Sequence, residues 1–148
     1  MEYNRMKNRR TTIFLFISGL LLLGIGGTIL LIPHAFHASN GIILGNDPNL
    51  LSEIRAPGGL LAGSAVMIIL GAFRAPMRSL AIFLTIIVYG SFGLARLIGM
   101  AIDGMPSEGI FLATVIELSI AAIGYLIYRR RSDTSISSHK LTLSSEIS

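Results

Sequence analysis

The sequence predicts an all-α integral membrane protein, a bundle of four transmembrane helices with both termini cytoplasmic. Three observations predict it. Four apolar runs are each long enough for a helix to cross a bilayer, which takes about 20 residues with a range of roughly 17–25. Only 14% of the 148 residues are charged, against about 25% in an ordinary soluble domain. Those charges gather at the chain ends and in short breaks between the runs, with the basic ones in alternate breaks.

The predicted organisation has three parts. Residues 1–10 form a basic cytoplasmic tail. Residues 11–131 form the transmembrane domain, with spans at about 11–32, 57–73, 80–101 and 110–128. Residues 132–148 are polar and serine-rich and are expected to be disordered in the cytoplasm. Four spans use more than half of the chain, so no aqueous domain fits in the loops. The absence of cysteine excludes disulfides, thiol redox chemistry and thiolate metal sites. The net charge of +4 sits beside the spans, where it signals topology and not nucleic-acid binding.

The first span, from Thr11, ends at Pro33. Its apolar core is longer than the about 7–15 residues of a cleavable signal and no small-residue cleavage site follows, so the helix is expected to be retained. Ser18, Gly19, Gly24, Gly26 and Gly27 offer surface for close helix approach. Residues 34–47 read as a loop with turn chemistry at Ser39-Asn40-Gly41 and Gly45-Asn46-Asp47. Asp47-Pro48 reads as a helix start, Asp as the cap and Pro at the first helical position. Pro57 either kinks one long helix or opens a new one, since it cannot donate to the carbonyl of Glu53. Gly59 and Gly63 make a small-residue pair suited to helix packing. Arg74 to Ser79 is a short basic turn. The third span follows, then the turn Asp103-Gly104-Met105-Pro106-Ser107, where Ser107 suits a cap and Glu108 the first helical turn. The fourth span ends in Arg129-Arg130-Arg131.

Orientation follows from the basic residues. Arg5, Lys7, Arg9 and Arg10 precede the first span, Arg74 and Arg78 fill the middle turn, and Arg129, Arg130, Arg131 and Lys140 follow the last span. The rule that cytoplasmic loops are positive places all three segments inside. The expected location is the cytoplasmic (inner) membrane of a bacterium.

Within this frame the charges inside the spans stand out. Arg96 is the one basic residue inside the third apolar run and Glu117 the one acid inside the fourth. A membrane-embedded arginine costs about 2.5–3.5 kcal/mol at the centre of a span and less near an end, so a partner is expected and Glu117 is the obvious one. Arg96 lies roughly 7–8 Å below the outer end of its span and Glu117 roughly 10–14 Å below the end of its own, at 1.5 Å per residue. Glu53 and Arg55 sit where the second span leaves the outer surface, and Asp103 sits in the outer turn. Tyr89, Gly93, Arg96, Met100 and Asp103 share one helical stripe. So do Ala113 or Thr114, Glu117, Ala121 and Gly124 on the fourth span, and Arg55, Gly59 and Gly63 on the second. Turned inward, these stripes are expected to place Glu53, Arg55, Arg96 and Glu117 around one cavity, and Asp103 is the fifth charge of the outer half. Such a cluster is either a lock between helices, adding little stability, or a functional site, the default reading for ionisable groups inside a membrane.

Other features carry less. His34 and His37 lack a third ligand at metal-binding spacing. Gly24, Gly26 and Gly27 follow no strand, so they make no dinucleotide loop. No Ser-His-Asp set or nucleophile elbow can be assembled, and no cofactor is implied.

The combination Glu53-Ile54-Arg55, Gly58-Gly59, Gly93-x-x-Arg96, Asp103-Gly104-x-Pro106 and Glu117 resembles a family of small bacterial four-span membrane proteins, a domain of unknown function termed the DUF4345 group. The resemblance covers about Thr11 to Tyr128. It implies the fold and the membrane location and adds no reaction. The expected function is therefore that of a small, non-enzymatic polytopic membrane protein. Its partners are expected to be the lipid bilayer and a second copy or another membrane protein, with no nucleic acid. The alternative is a transporter or binding protein for a small molecule, an anion or a lipid head group. Arg55 and Arg96 would then hold the ligand and Glu117 would be a proton-linked acid.

Overall fold

In the computed structural model residues 2–146 have described backbone and residues 8–131 described side chains. The polar segment 132–148, expected to be disordered, and the start of the basic tail lie outside the fully described residues. The elements are α1 (Glu2–Leu31), α2 (Pro33–Ala38), α3 (Pro48–Phe73), a 3-10 turn (Ala75–Met77), α4 (Arg78–Asp103) and α5 (Glu108–Glu146). Four stretches are long and apolar enough to cross a membrane: Asn8–Leu31, Pro48–Phe73, Ala75–Asp103 and Glu108–Arg131. Each buries at most 33% of its most apolar window inside the protein. Most of the apolar surface therefore faces outward, as a bilayer solvent requires and water forbids.

Two boundaries differ from expectation. The segment after Pro33 opens as the short helix α2, with Pro33 as its first residue and the chain broken at Ile32 (φ −131°). Proline lacks the N–H that a helix's first turn does not use, so it begins a helix as readily as it ends one. The second span begins at Pro48, because α3 runs unbroken through Pro57. The cap at Asp47 is as expected: its Oδ1 accepts from the N–H groups of Asn49 and Leu50, each at 2.9 Å. This anchored start leaves Pro57 as an interior residue of one helix.

The long helices pack antiparallel in chain order. α1 lies against α3, α3 against α4 and α4 against α5. Glycine sets the first seam. A Cβ at Gly26 would come within 2.6 Å of the Ala62 nitrogen, and one at Gly58 within 2.8 Å of the Leu30 nitrogen. The backbones of α1 and α3 touch there, which only a missing side chain permits. Gly19 meets Ile69 in the same seam. The expected pair Gly59 and Gly63 does not take this role: Gly63 has nothing within 4 Å and Gly59 meets only the tip of Leu30. One residue of rotation explains the difference, because Gly58 and Gly59 lie about 100° apart around α3. Gly24 and Gly27 on α1 likewise face open space.

The core is built from Leu15 and Leu22 of α1, Leu61 and Ile68 of α3, and Ile82 and Tyr89 of α4. Tyr89 is 2% exposed and its hydroxyl donates to the Ser18 carbonyl at 2.6 Å. This ties α4 to α1, two helices that otherwise touch little. Tyr89→Phe keeps the packing and removes that tie. It is expected to lower stability by about 1 kcal/mol, the net worth of one hydrogen bond, read as a small fall in unfolding temperature in nanodiscs.

At the end of the bundle carrying the α3–α4 turn, Arg78 donates to the Ala72 carbonyl at 2.9 Å and to the Thr12 hydroxyl at 3.2 Å. Arg131 donates to Asn8 at 3.1 Å. The spent end of α3 is thereby capped by a cation, which its exposed carbonyls favour.

Candidate functional site

The site is at the opposite end of the bundle, where α4 and α5 meet. Gly93 makes it possible. A Cβ there would stand 2.7 Å from Leu118 Cδ2, so the Leu118 side chain of α5 packs into the space that a side chain at position 93 would occupy. This packing brings the neighbouring Glu117 alongside Arg96, three residues on from Gly93. The Arg96 Nε donates to Glu117 Oε2 at 3.2 Å. Glu117 is buried, whereas the Arg96 side chain is 30% exposed. This ion pair joins α4 to α5.

Arg96 forms the wall between two spaces. Towards the interior lies a cavity of about 30 Å³, bordered by Leu22, Leu61, Tyr89, Phe92, Arg96 and Glu117, so that all four long helices contribute. Its size suits one or two waters. Towards the α4–α5 turn lies an open groove of about 230 Å³, bordered by Arg96, Gly99, Met100, Asp103, Pro106 and Ile110. Only the Nε of Arg96 is engaged by Glu117. The two terminal amino groups make no hydrogen bond among the described residues. A guanidinium held by its Nε and open at its outer edge presents paired donors that match a carboxylate or phosphate.

The five residues expected to cluster separate into three places. Arg96 and Glu117 are paired as expected. Asp103 shares the groove with Arg96 without pairing to it. Arg55 borders neither cavity and donates instead to the Leu30 carbonyl at the end of α1. Glu53 is exposed on the first turns of α3 and also borders neither cavity. The reason is the continuity of α3 through Pro57, which presents Arg55 to the last carbonyls of α1, groups left without helical partners. No group of three or more metal-ligating side chains occurs among the described residues, His34 and His37 included.

Sequence reasoning placed Tyr89 on the stripe of Arg96 but missed its bond to Ser18, because a backbone carbonyl leaves no mark in a sequence. It also missed Gly99 as the floor of the groove. The signal was present: Arg96, Gly99 and Asp103 follow at spacings of three and four.

Residues 10–128 match the family model described as Domain of unknown function (DUF4345). The match covers most of the chain, and the protein belongs to that family. No curated protein and no solved structure matches it.

Proposed function

We propose that this member of the DUF4345 family is a non-enzymatic membrane protein that binds a phosphate-bearing head group or a small anion at Arg96. The carrying observation is the half-engaged guanidinium: Glu117 holds Nε at 3.2 Å, the terminal amino groups have no partner among the described residues, and Arg96 borders an open groove of about 230 Å³. A lock alone has no use for that opening, whereas a binding site needs a fixed donor and free space beside it.

The orientation that suits this reading has both termini in the cytoplasm of a bacterial cell and the groove on the outer side. It rests on Arg9, Arg10, Arg74, Arg78 and Arg129 to Arg131, which flank the spans at the ends that the antiparallel packing brings together. A second reading, that the pair only locks α4 to α5, is favoured by the burial of Glu117.

The test is phospholipid retention, measured by native mass spectrometry on protein released from membranes. Arg96→Gln is expected to retain at least about tenfold less lipid than the wild type, the scale of one charge-assisted bidentate contact. Arg96→Lys, a point charge without the planar fork, is expected to fall between them. Equal retention in all three would overturn the binding reading and leave the lock.

A further inference from the structure

We infer that the groove selects a zwitterion: a phosphate carrying an ammonium group a short chain away, as in a phosphoethanolamine head group. This deepens the binding reading above and rests on it. The groove is bipolar. Arg96 borders one end and Asp103 the other, and Gly99 lies between them on the same face of α4. The Asp103 carboxylate folds back along the helix, its Oδ2 lying 4.0 Å from where a Cβ on Gly99 would be. It therefore leans towards Arg96, yet the two do not form an ion pair. Two opposite charges that share a groove and stop short of each other leave room for a ligand that bridges them.

Charge balance points the same way. Glu117 already neutralises Arg96, so Asp103 tips the groove towards negative. A simple anion bound to Arg96 meets that second carboxylate and is disfavoured by it. A zwitterion adds no net charge: its phosphate meets the Arg96 guanidinium and its ammonium meets Asp103, which relieves the repulsion that a simple anion meets there. Glycine at position 99 keeps the floor between them flat, since a side chain there would fill the bridge. Gly104 turns the chain away just beyond Asp103 with φ +97°, and Pro106 and Ile110 close the far wall. Beside the groove, Ile98 and Ile102 are exposed on the membrane-facing side of the helix. Acyl chains would lie along them while the head group occupies the groove.

The shared chemistry is a phosphate with a nearby ammonium, and it comes from a lipid or from a free metabolite. The full-length protein in nanodiscs is titrated with dihexanoyl phosphatidylethanolamine, dihexanoyl phosphatidylglycerol and soluble O-phosphoethanolamine. The wild type is expected to bind the ethanolamine lipid about three- to fivefold more tightly than the glycerol lipid, the effect of one partly exposed ion pair. Asp103→Asn is expected to erase that preference and Asp103→Glu to keep part of it. Asp103 is exposed at a helix end, so neither change threatens the fold. Tighter binding of the lipid than of O-phosphoethanolamine identifies a lipid site, and the reverse identifies a free metabolite; both support the zwitterion. Equal binding of the two lipids by the wild type, or a preference that survives Asp103→Asn, overturns it. Loss of both lipids in Arg96→Gln with no effect of Asp103 overturns the zwitterion alone. Retention of both in Arg96→Gln overturns the binding reading beneath it.

Discussion

Gly26→Leu is expected to destabilise the bundle by about 3 kcal/mol or more, at the upper end of what overpacking costs. The first side-chain carbon at this position already overlaps three neighbours: the Ala62 nitrogen at 2.6 Å, the Leu61 Cβ at 2.8 Å and the Gly58 oxygen at 2.9 Å. Two of the three are backbone atoms of α3, which cannot rotate aside as a flexible side chain can. Relief requires the helices to separate along the seam that holds Gly19, Gly26 and Gly58 against their neighbours. Association of helices in a membrane relies on close van der Waals contact, so separation loses the main source of attraction between α1 and α3. Gly63→Leu is the matched control. It sits on α3, the partner helix of that seam, faces open space, and is expected to leave the unfolding temperature nearly unchanged. Equal damage from the two substitutions would contradict the placement of the seam.

The second large effect is electrostatic. Arg96→Glu replaces an attraction at 3.2 Å with two carboxylates facing each other, one of them buried. Breaking a buried pair costs about 3–5 kcal/mol, and the lower end applies because Arg96 keeps 30% of its side chain exposed. Like-charge repulsion adds to this, so the single variant is expected to accumulate poorly and unfold at a much lower temperature. Glu117→Arg alone is expected to behave similarly. The double exchange, Arg96→Glu with Glu117→Arg, restores an opposite pair across the same two helices. It is expected to recover most of the lost stability, since the two sites are in contact and their effects couple.

Much of the fold was legible because a membrane constrains sequence strongly. Every backbone group inside a bilayer must be bonded within the chain, so long apolar runs leave few alternatives to helices. The ends were less legible. Pro33 and Pro57 show why: the same residue stops α1, starts α2 and is carried inside α3. Its local rule forbids one hydrogen bond and leaves the neighbours to decide the outcome. The pairing of Arg96 with Glu117 was legible because each is the lone charge of its apolar run. Arg55 was misplaced because its choice lay between a cavity and a carbonyl at the end of another helix. A side chain's preference for a free backbone acceptor appears only once the helices are packed. The same holds for Gly58 over Gly59, where a single residue of helical phase selects which glycine meets α1.

The most direct test of the central claim, that Glu117 positions Arg96 for a ligand in the groove, is phospholipid binding by the exchanged double variant, with its thermal unfolding followed in the same nanodiscs. The exchange keeps the ion pair and moves the guanidinium onto α5, where position 117 borders the interior cavity and not the groove. The account predicts a protein with near-wild-type stability that has lost at least about tenfold in affinity for the phosphate lipid, since the charge-assisted contact is gone. A double variant that is stable and still binds as the wild type does would contradict it, and would make the pair a lock between two helices.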